Sequence, residues 1–145
     1  MYHIKPISAE ETYPVRQPVL REGKPLEACS FPGDLEESSF HLGLFYNVQL
    51  IGVASFIKNK SQLFSEENQY QLRGMAILKE FQKKGLGKRL IDEAEIILAR
   101  NKTKILWFNA RENAVPFYKN KGFHVLGDSF NIPDIGKHYS MYKEF

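Results

Sequence analysis

One cysteine, Cys29, is all the chain contains in its 145 residues, so no disulfide can close within it. No Cys/His cluster accompanies it, and neither a structural zinc nor any other metal is expected. A buried small apolar residue or an inert thiol is the better reading of Cys29. The chain also lacks an apolar run of about 18 residues and a signal-peptide core, so no membrane is expected and the cytoplasm is the expected location. Charge of one sign is scarce too. A net charge of +3 does not call for a nucleic-acid partner. Repeats, low-complexity tracts and an interdomain linker are missing, and residues 1–145 read as one domain. Two familiar phosphate-binding patterns are absent as well. There is no G-x-x-x-x-G-K-[ST], and the dinucleotide fingerprint lacks one of its glycines.

What is present is a hydrophobic content of 43% with 13% aromatics, enough for a real core. The apolar run Leu72 to Leu78 reads as a strand. It leads into Gln82-Lys83-Lys84-Gly85-Leu86-Gly87 and then into an amphipathic helix with Leu86, Leu90, Ile91, Ala94, Ile97 and Leu98 on one face. A glycine-containing turn that opens a helix offers free amide hydrogens to an anion. Gly85 and Gly87 carry no side chain to keep a phosphate away. Between Lys79 and Arg89 five residues are basic and one is acidic, so the positive charge is concentrated at this turn. The segment reads as a pyrophosphate cradle.

A second segment, Trp107 to Phe123, contains Asn113, Ala114, Phe117, Tyr118, Gly122 and Phe123. Asn113 suits a helix N-cap, Pro116 suits a first turn and Gly122 suits a helix stop. A strand followed by Q-x-x-G-x-G and a long helix, then Asn-x-x-Ala-x-x-Phe-Tyr and Gly-Phe, resembles the GNAT superfamily of N-acetyltransferases. Ala114 is displaced by two positions from the usual alanine.

The remaining elements follow from pattern. Tyr2 to Ile7 is a strand. Ser8 with Glu11 forms a capping box, and a helix from about Ala9 towards Leu20 is made irregular by Pro14 and Pro18. Residues 21–37 form a long loop. Phe40–Tyr46 and Gln49–Lys58 form a hairpin. Gln69–Leu78 is a strand whose alternation puts Gln71, Arg73, Met75 and Ile77 on one side. A helix over Lys84–Asn101, a strand over Thr103–Ala110 and a helix over Asn113–Asn120 follow. Phe123–Leu126 and His138–Tyr142 pair last. The resulting α/β fold is a GNAT-like mixed sheet of about six or seven strands flanked by helices. The resemblance adds a V-shaped splay between the two parallel central strands.

The resemblance implies an acetyl-CoA-dependent N-acetyltransferase in which an amine attacks the thioester directly. Backbone groups near Met75 and Ile77 would hold the thioester and pantetheine, with an amide hydrogen near Met75 serving the oxyanion. Gln82, Lys83, Lys84, Gly85, Leu86, Gly87 and Lys88 would bind the pyrophosphate. Asn109 and Asn113 would contact the pantetheine arm, and Tyr118 would act as general acid on the leaving sulfur. Arg73 and Phe31 are the substrate-binding candidates. Arg16 and Arg21 lie where this family builds its acceptor pocket. Glu66, Glu67, Glu112, His41 and His138 qualify as bases by residue type alone, and none is assigned. The acceptor is a small-molecule or protein amine, and the oligomeric state, a homodimer included, stays open. A catalytically silent acyl-CoA-binding sensor or partner-binding module of the same fold is the alternative. An RNA-binding domain would need an aromatic–basic strand pattern that is not seen.

Overall fold

Seven strands and three helices organise the chain in a computed structural model that describes Met1 to Phe145. The strands are β1 (Tyr2–Ile7), β2 (Phe40–Tyr46), β3 (Gln49–Lys58), β4 (Gln69–Ile77), β5 (Ile105–Arg111), β6 (His124–Ile132) and β7 (Gly136–Glu144). The helices are α1 (Tyr13–Leu20), α2 (Leu86–Arg100) and α3 (Val115–Asn120). The strands form one sheet in the order β1-β2-β3-β4-β5-β7-β6. Only β4 and β5 run parallel, because α2 carries the chain from the end of one back to the start of the other.

The helical period of α2 buries Leu86, Leu90, Ile91, Ala94 and Leu98 on one face. These side chains meet Leu42, Leu44, Phe56, Leu72, Leu106 and Phe108 from the sheet in the main core. Each fully buried aliphatic contributes roughly 1.5–3 kcal/mol relative to exposure. On the opposite face Val15 of α1 packs against Val53 and Ala76. The chain enters that layer through the expected capping box. The Ser8 amide donates to Glu11 Oε1 at 2.9 Å and the Glu11 amide donates to Ser8 Oγ at 3.2 Å. A 3₁₀ turn, Glu10–Thr12, precedes α1, and Pro18 sits inside the helix.

Three expectations are corrected. First, Gln71, Arg73, Met75 and Ile77 do not share one face of β4. Ser55 pairs with Arg73 but Val53 pairs with Ala76, so β4 carries one extra residue. Gly74 absorbs it at φ +60°. The bulge reverses the alternation. Tyr70 and Leu72 are buried in the main core before it, whereas Met75 and Ile77 pack against that core after it. Second, Asn113 is no helix cap. It lies in a 3₁₀ turn, Glu112–Ala114, and α3 starts from Ala114 without a side-chain cap. Third, α2 begins at Leu86 rather than Lys84, because Gly85 caps it in the left-handed region at φ +75°. The last two strands are also longer than their apolar cores suggest, and β7 inserts between β5 and β6.

Candidate active site

The sheet opens where its two parallel strands part. β4 and β5 pair only at Gln69–Ile105, Tyr70–Leu106 and Gln71–Trp107, although β4 runs on to Ile77 and β5 to Arg111. Beyond Gln71 the side of β4 that faces β5 has no strand partner. Unpaired strand edges recruit extended chains. The gap is a cleft of about 370 Å³. Gln71 to Met75 form one wall, Phe108 to Arg111 the other, and Asn113, Ala114 and Tyr118 close the α3 end. Leu20, Arg21, Phe31 and His138 complete the lining.

The glycine turn sits at one end of this cleft. No amide from Lys83 to Gly87 donates to a backbone carbonyl. Lys83 (φ +63°) and Gly85 (φ +75°) are both left-handed, a backbone that turns successive amides towards one anion. A side chain at Gly85 would meet no atom within 4 Å, so the space over the turn is open. At Gly87 it would lie 3.5 Å from Met75 Cε and 3.7 Å from Phe117 Cζ, which ties the turn to the cleft wall. Gln82 donates its side-chain amide to the Ile77 carbonyl at 2.8 Å and so latches the turn to the end of β4. Lys84 lies over the Phe81 ring at 5.7 Å, and Lys88 pairs with Asp92 at 3.5 Å one helical turn on. Lys83 and Lys84 have no carboxylate partner. The open amides and free cations suit a diphosphate, the charge that coenzyme A would bring there.

Tyr118 stands on α3 against Phe108, with ring centres 4.4 Å apart, and against Phe123 at 5.9 Å. Burial pushes its phenol up to about 12, so it remains a proton donor at any physiological pH. Asn109 accepts a hydrogen bond from Ser140 Oγ at 3.1 Å and, with Asn113, lines the cleft. Met75 lines it too, whereas Ile77 lies beyond.

The cleft lining is cationic: Arg21, Arg73 and Arg111 belong to it beside His138, and no carboxylate does. The guanidinium carbons of Arg16, Arg21 and Arg73 lie 4.1, 4.7 and 5.9 Å from the centre of the Phe31 ring. Arg16 is spent: it is fully buried and forked onto Asp34 at 2.6 and 3.0 Å. It therefore belongs to the core and not to the acceptor wall, a correction to its expected place. Arg21 donates to the Leu20 and Ala28 carbonyls. Arg73 has no acceptor. Burial lowers its pKa and the charges of Arg16 and Arg21 add to that, with Asp34 opposing. An anion in the cleft would relieve this repulsion.

His138 is the group that residue type alone could not single out. It is 5% exposed, and its Nδ1 lies 2.9 Å from the Gly136 carbonyl. A carbonyl only accepts, so Nδ1 carries a hydrogen, and in the neutral ring the lone pair sits on Nε2. The other base candidates fall away on position. His41 is buried with both nitrogens bonded, to Ser55 Oγ and the Asp34 carbonyl. Glu67 pairs with Lys60 and Glu112 with Lys137, and none of the three glutamates lines the cleft.

Residues 24–145 match the acetyltransferase (GNAT) domain. The chain is 41% identical over 143 residues to YitI of Bacillus subtilis, described as an uncharacterized N-acetyltransferase, covering 99% of this chain and 96% of that one. The chain belongs to the GNAT acetyltransferase family. Solved structures agree on the fold at low identity. A GNAT family acetyltransferase from Elizabethkingia anophelis with acetyl-CoA bound matches with a TM-score of 0.71 at 14% identity, over 99% of this chain and 98% of that one. The ribosomal-protein-S18-alanine N-acetyltransferase of Escherichia coli matches at 0.76 and 18%, over 99% and 94%. This GNAT chain thus shares its fold with a neighbour whose structure holds acetyl-CoA. No helix is long and apolar enough to cross a membrane.

No local pattern singles out Arg111, and residue type alone leaves His138 among five base candidates. Both reach the cleft through the register of β5 with β7, which no local pattern encodes. Gly74 was the one available signal for the bulge.

Proposed function

We propose that residues 1–145 act as one acetyltransferase domain that moves an acetyl group from acetyl-CoA to a primary amine within a ternary complex. The observation that carries the reading is the unpaired second half of β4, which ends at an open turn of free amides. A pantetheine arm would extend along β4 while the Lys83–Gly87 turn takes the diphosphate. An amide hydrogen near Met75 would face the carbonyl oxygen as charge grows on it.

The acceptor would enter from the side of Arg21, Phe31, Arg73 and Arg111. With cations and no carboxylate on that side, an amine that also carries a carboxylate or phosphate fits best. His138 Nε2 would take the proton that the amine sheds as nitrogen bonds to the acetyl carbon. As the carbon–sulfur bond breaks, the Tyr118 phenol would give its proton to the departing sulfur. No enzyme nucleophile is required, and Cys29 is buried away from the cleft.

The test pairs thermal stability with thiol release. Acetyl-CoA should raise the melting temperature, since a ligand of the folded state stabilises it. Thiol release should then depend on an added amine. L-aspartate, L-glutamate and 2-aminoethylphosphonate should exceed their uncharged amides or esters and should exceed spermidine. Stabilisation by acetyl-CoA with no turnover of any amine would instead mark a silent acyl-CoA sensor. No stabilisation by acetyl-CoA would remove the reading altogether.

A further inference from the structure

A buried polar cluster lies under the acceptor side of the cleft, and nothing in the proposed chemistry uses it. Asp34 receives both terminal nitrogens of Arg16, at 2.6 and 3.0 Å, and the Phe31 amide at 2.9 Å. Arg16 also donates to the Cys29 carbonyl at 2.7 Å and to Ser55 Oγ at 2.8 Å. The cluster thereby joins α1, the loop before β2 and the middle of β3. Two of these bonds, to the Cys29 carbonyl and from the Phe31 amide, hold the backbone around Phe31.

The Phe31 ring lies against both this cluster and the bulge of β4. Arg16 stacks on it at 4.1 Å, and the bulge of β4 meets it at Gly74, where a Cβ would come within 2.8 Å of Phe31 Cε2. Arg21 and Arg73, two of the three arginines that line the cleft, lie over the same ring. A planar ring held by a charge-assisted fork sets the separation and tilt of the cations around it. Pairing Arg16 with Asp34 also cancels the one buried charge that would otherwise compete for an incoming anion.

We infer that Asp34, through Arg16 and Phe31, is a positioning residue for acceptor binding. It touches neither substrate. It fixes the ring against which Arg21 and Arg73 are spaced to receive the acceptor's anionic group. The inference rests on the acetyltransferase reading and on its anionic acceptor.

The test compares Asp34→Asn and Arg16→Lys with wild type in the full-length chain. KM for the anionic amine used best, KM for acetyl-CoA and kcat are measured below each variant's melting temperature. A calorimetric titration of the CoA-loaded protein with inorganic phosphate supplies a readout free of turnover. The expected result is a rise in acceptor KM on the order of tenfold, with phosphate binding weakened in parallel. KM for acetyl-CoA and kcat at saturating acceptor should stay within about twofold. Asn keeps a single acceptor oxygen and Lys a single donor direction, so each variant breaks the fork while keeping the side-chain volume. If one fails to fold, the other decides. Equal changes in both KM values, or an unchanged acceptor KM in a folded variant, would overturn the inference. So would wild type that ignores phosphate and anionic amines while acetylating neutral ones. Failure of wild type to bind acetyl-CoA is a different result, and would remove the acetyltransferase reading itself.

Discussion

Arg111 and His138 are registered opposite each other across the antiparallel pair β5 and β7, and both line the cleft between β4 and β5. One brings a fixed positive charge and the other a lone pair. Their opposition puts a guanidinium next to an imidazole. On the proposed reading Arg111 would orient the anion that the amine carries, and His138 would take the one proton that the neutral amine sheds as nitrogen bonds to the acetyl carbon.

His138→Gln should therefore lower kcat by about 10²–10⁴-fold. Gln can still donate to the Gly136 carbonyl but offers no useful base. Acetyl-CoA affinity, read by thermal shift, should not change. A variant that keeps wild-type kcat would exclude His138 as the base.

Tyr118 should resist ionisation. Its phenol is pushed up to about 12 by burial, above the ordinary value near about 10. The folded state thus keeps this proton longer than the unfolded chain does. Its contribution to stability is complete below about pH 10 and is lost as pH rises through about 12. Burial pushes the Tyr70 phenol up too, so a tyrosinate absorbance titration should show at least one tyrosine fewer ionising below about pH 11 than in the denatured protein, and Tyr118→Phe should remove the latest-ionising one. Tyr118→Phe should retain CoA binding and lose rate in the thiol-expelling step.

Arg73 has no partner of its own, so its value should appear only with an acceptor present. Arg73→Gln should raise KM for an anionic amine roughly 10–100-fold, as expected for losing a charge-assisted hydrogen bond. KM for acetyl-CoA should be unaffected. Removing a lone, crowded cation should leave the melting temperature of the free protein unchanged or slightly higher. A fall of several degrees would mean that Arg73 has a packing role instead.

Much of this molecule could be read from its chain, and the failures have a common origin. The hairpin of β2 and β3, the helical face of α2 and the Ser8–Glu11 cap are local, set by alternation, helical period or a four-residue motif. The residue order Gln82 to Gly87 likewise announced the open turn. The bulge at Gly74 is a two-strand property. One extra residue on β4 reverses every side chain after it, so counting along β4 alone put Arg73 and Met75 on the same side. The Arg16–Asp34 fork joins residues 18 apart, across the end of α1 and the long loop after it, and the Arg111–His138 juxtaposition has α3 and β6 between its two members. Long-range register brought those pairs together.

Gly85 offers a test that separates backbone strain from charge. It is left-handed at φ +75° with nothing within 4 Å of a would-be Cβ. Gly85→Asn tolerates that backbone region better than most residues and adds no charge, so it should retain most acetyl-CoA affinity. Gly85→Glu places a carboxylate over the free amides and should weaken binding by at least tenfold. Equal affinities for the two variants, measured by calorimetry, would place the diphosphate elsewhere.

Acid should unfold this protein partly through Asp34. Burial alone would raise its carboxyl, but the bonds from Arg16 and from the Phe31 amide outweigh it and hold the group below the usual carboxylate range. The native state then binds this proton more weakly than the unfolded chain. The stabilisation is complete above the unfolded value of about 3.9 and is withdrawn as pH falls through the depressed native one. Urea unfolding followed downward from about pH 5 should show a steep loss of stability in wild type. Asp34→Asn should start less stable, because it leaves Arg16 buried with one good partner fewer, and should lose less on further acidification. Parallel acid limbs in the two proteins would mean that another carboxylate governs the transition.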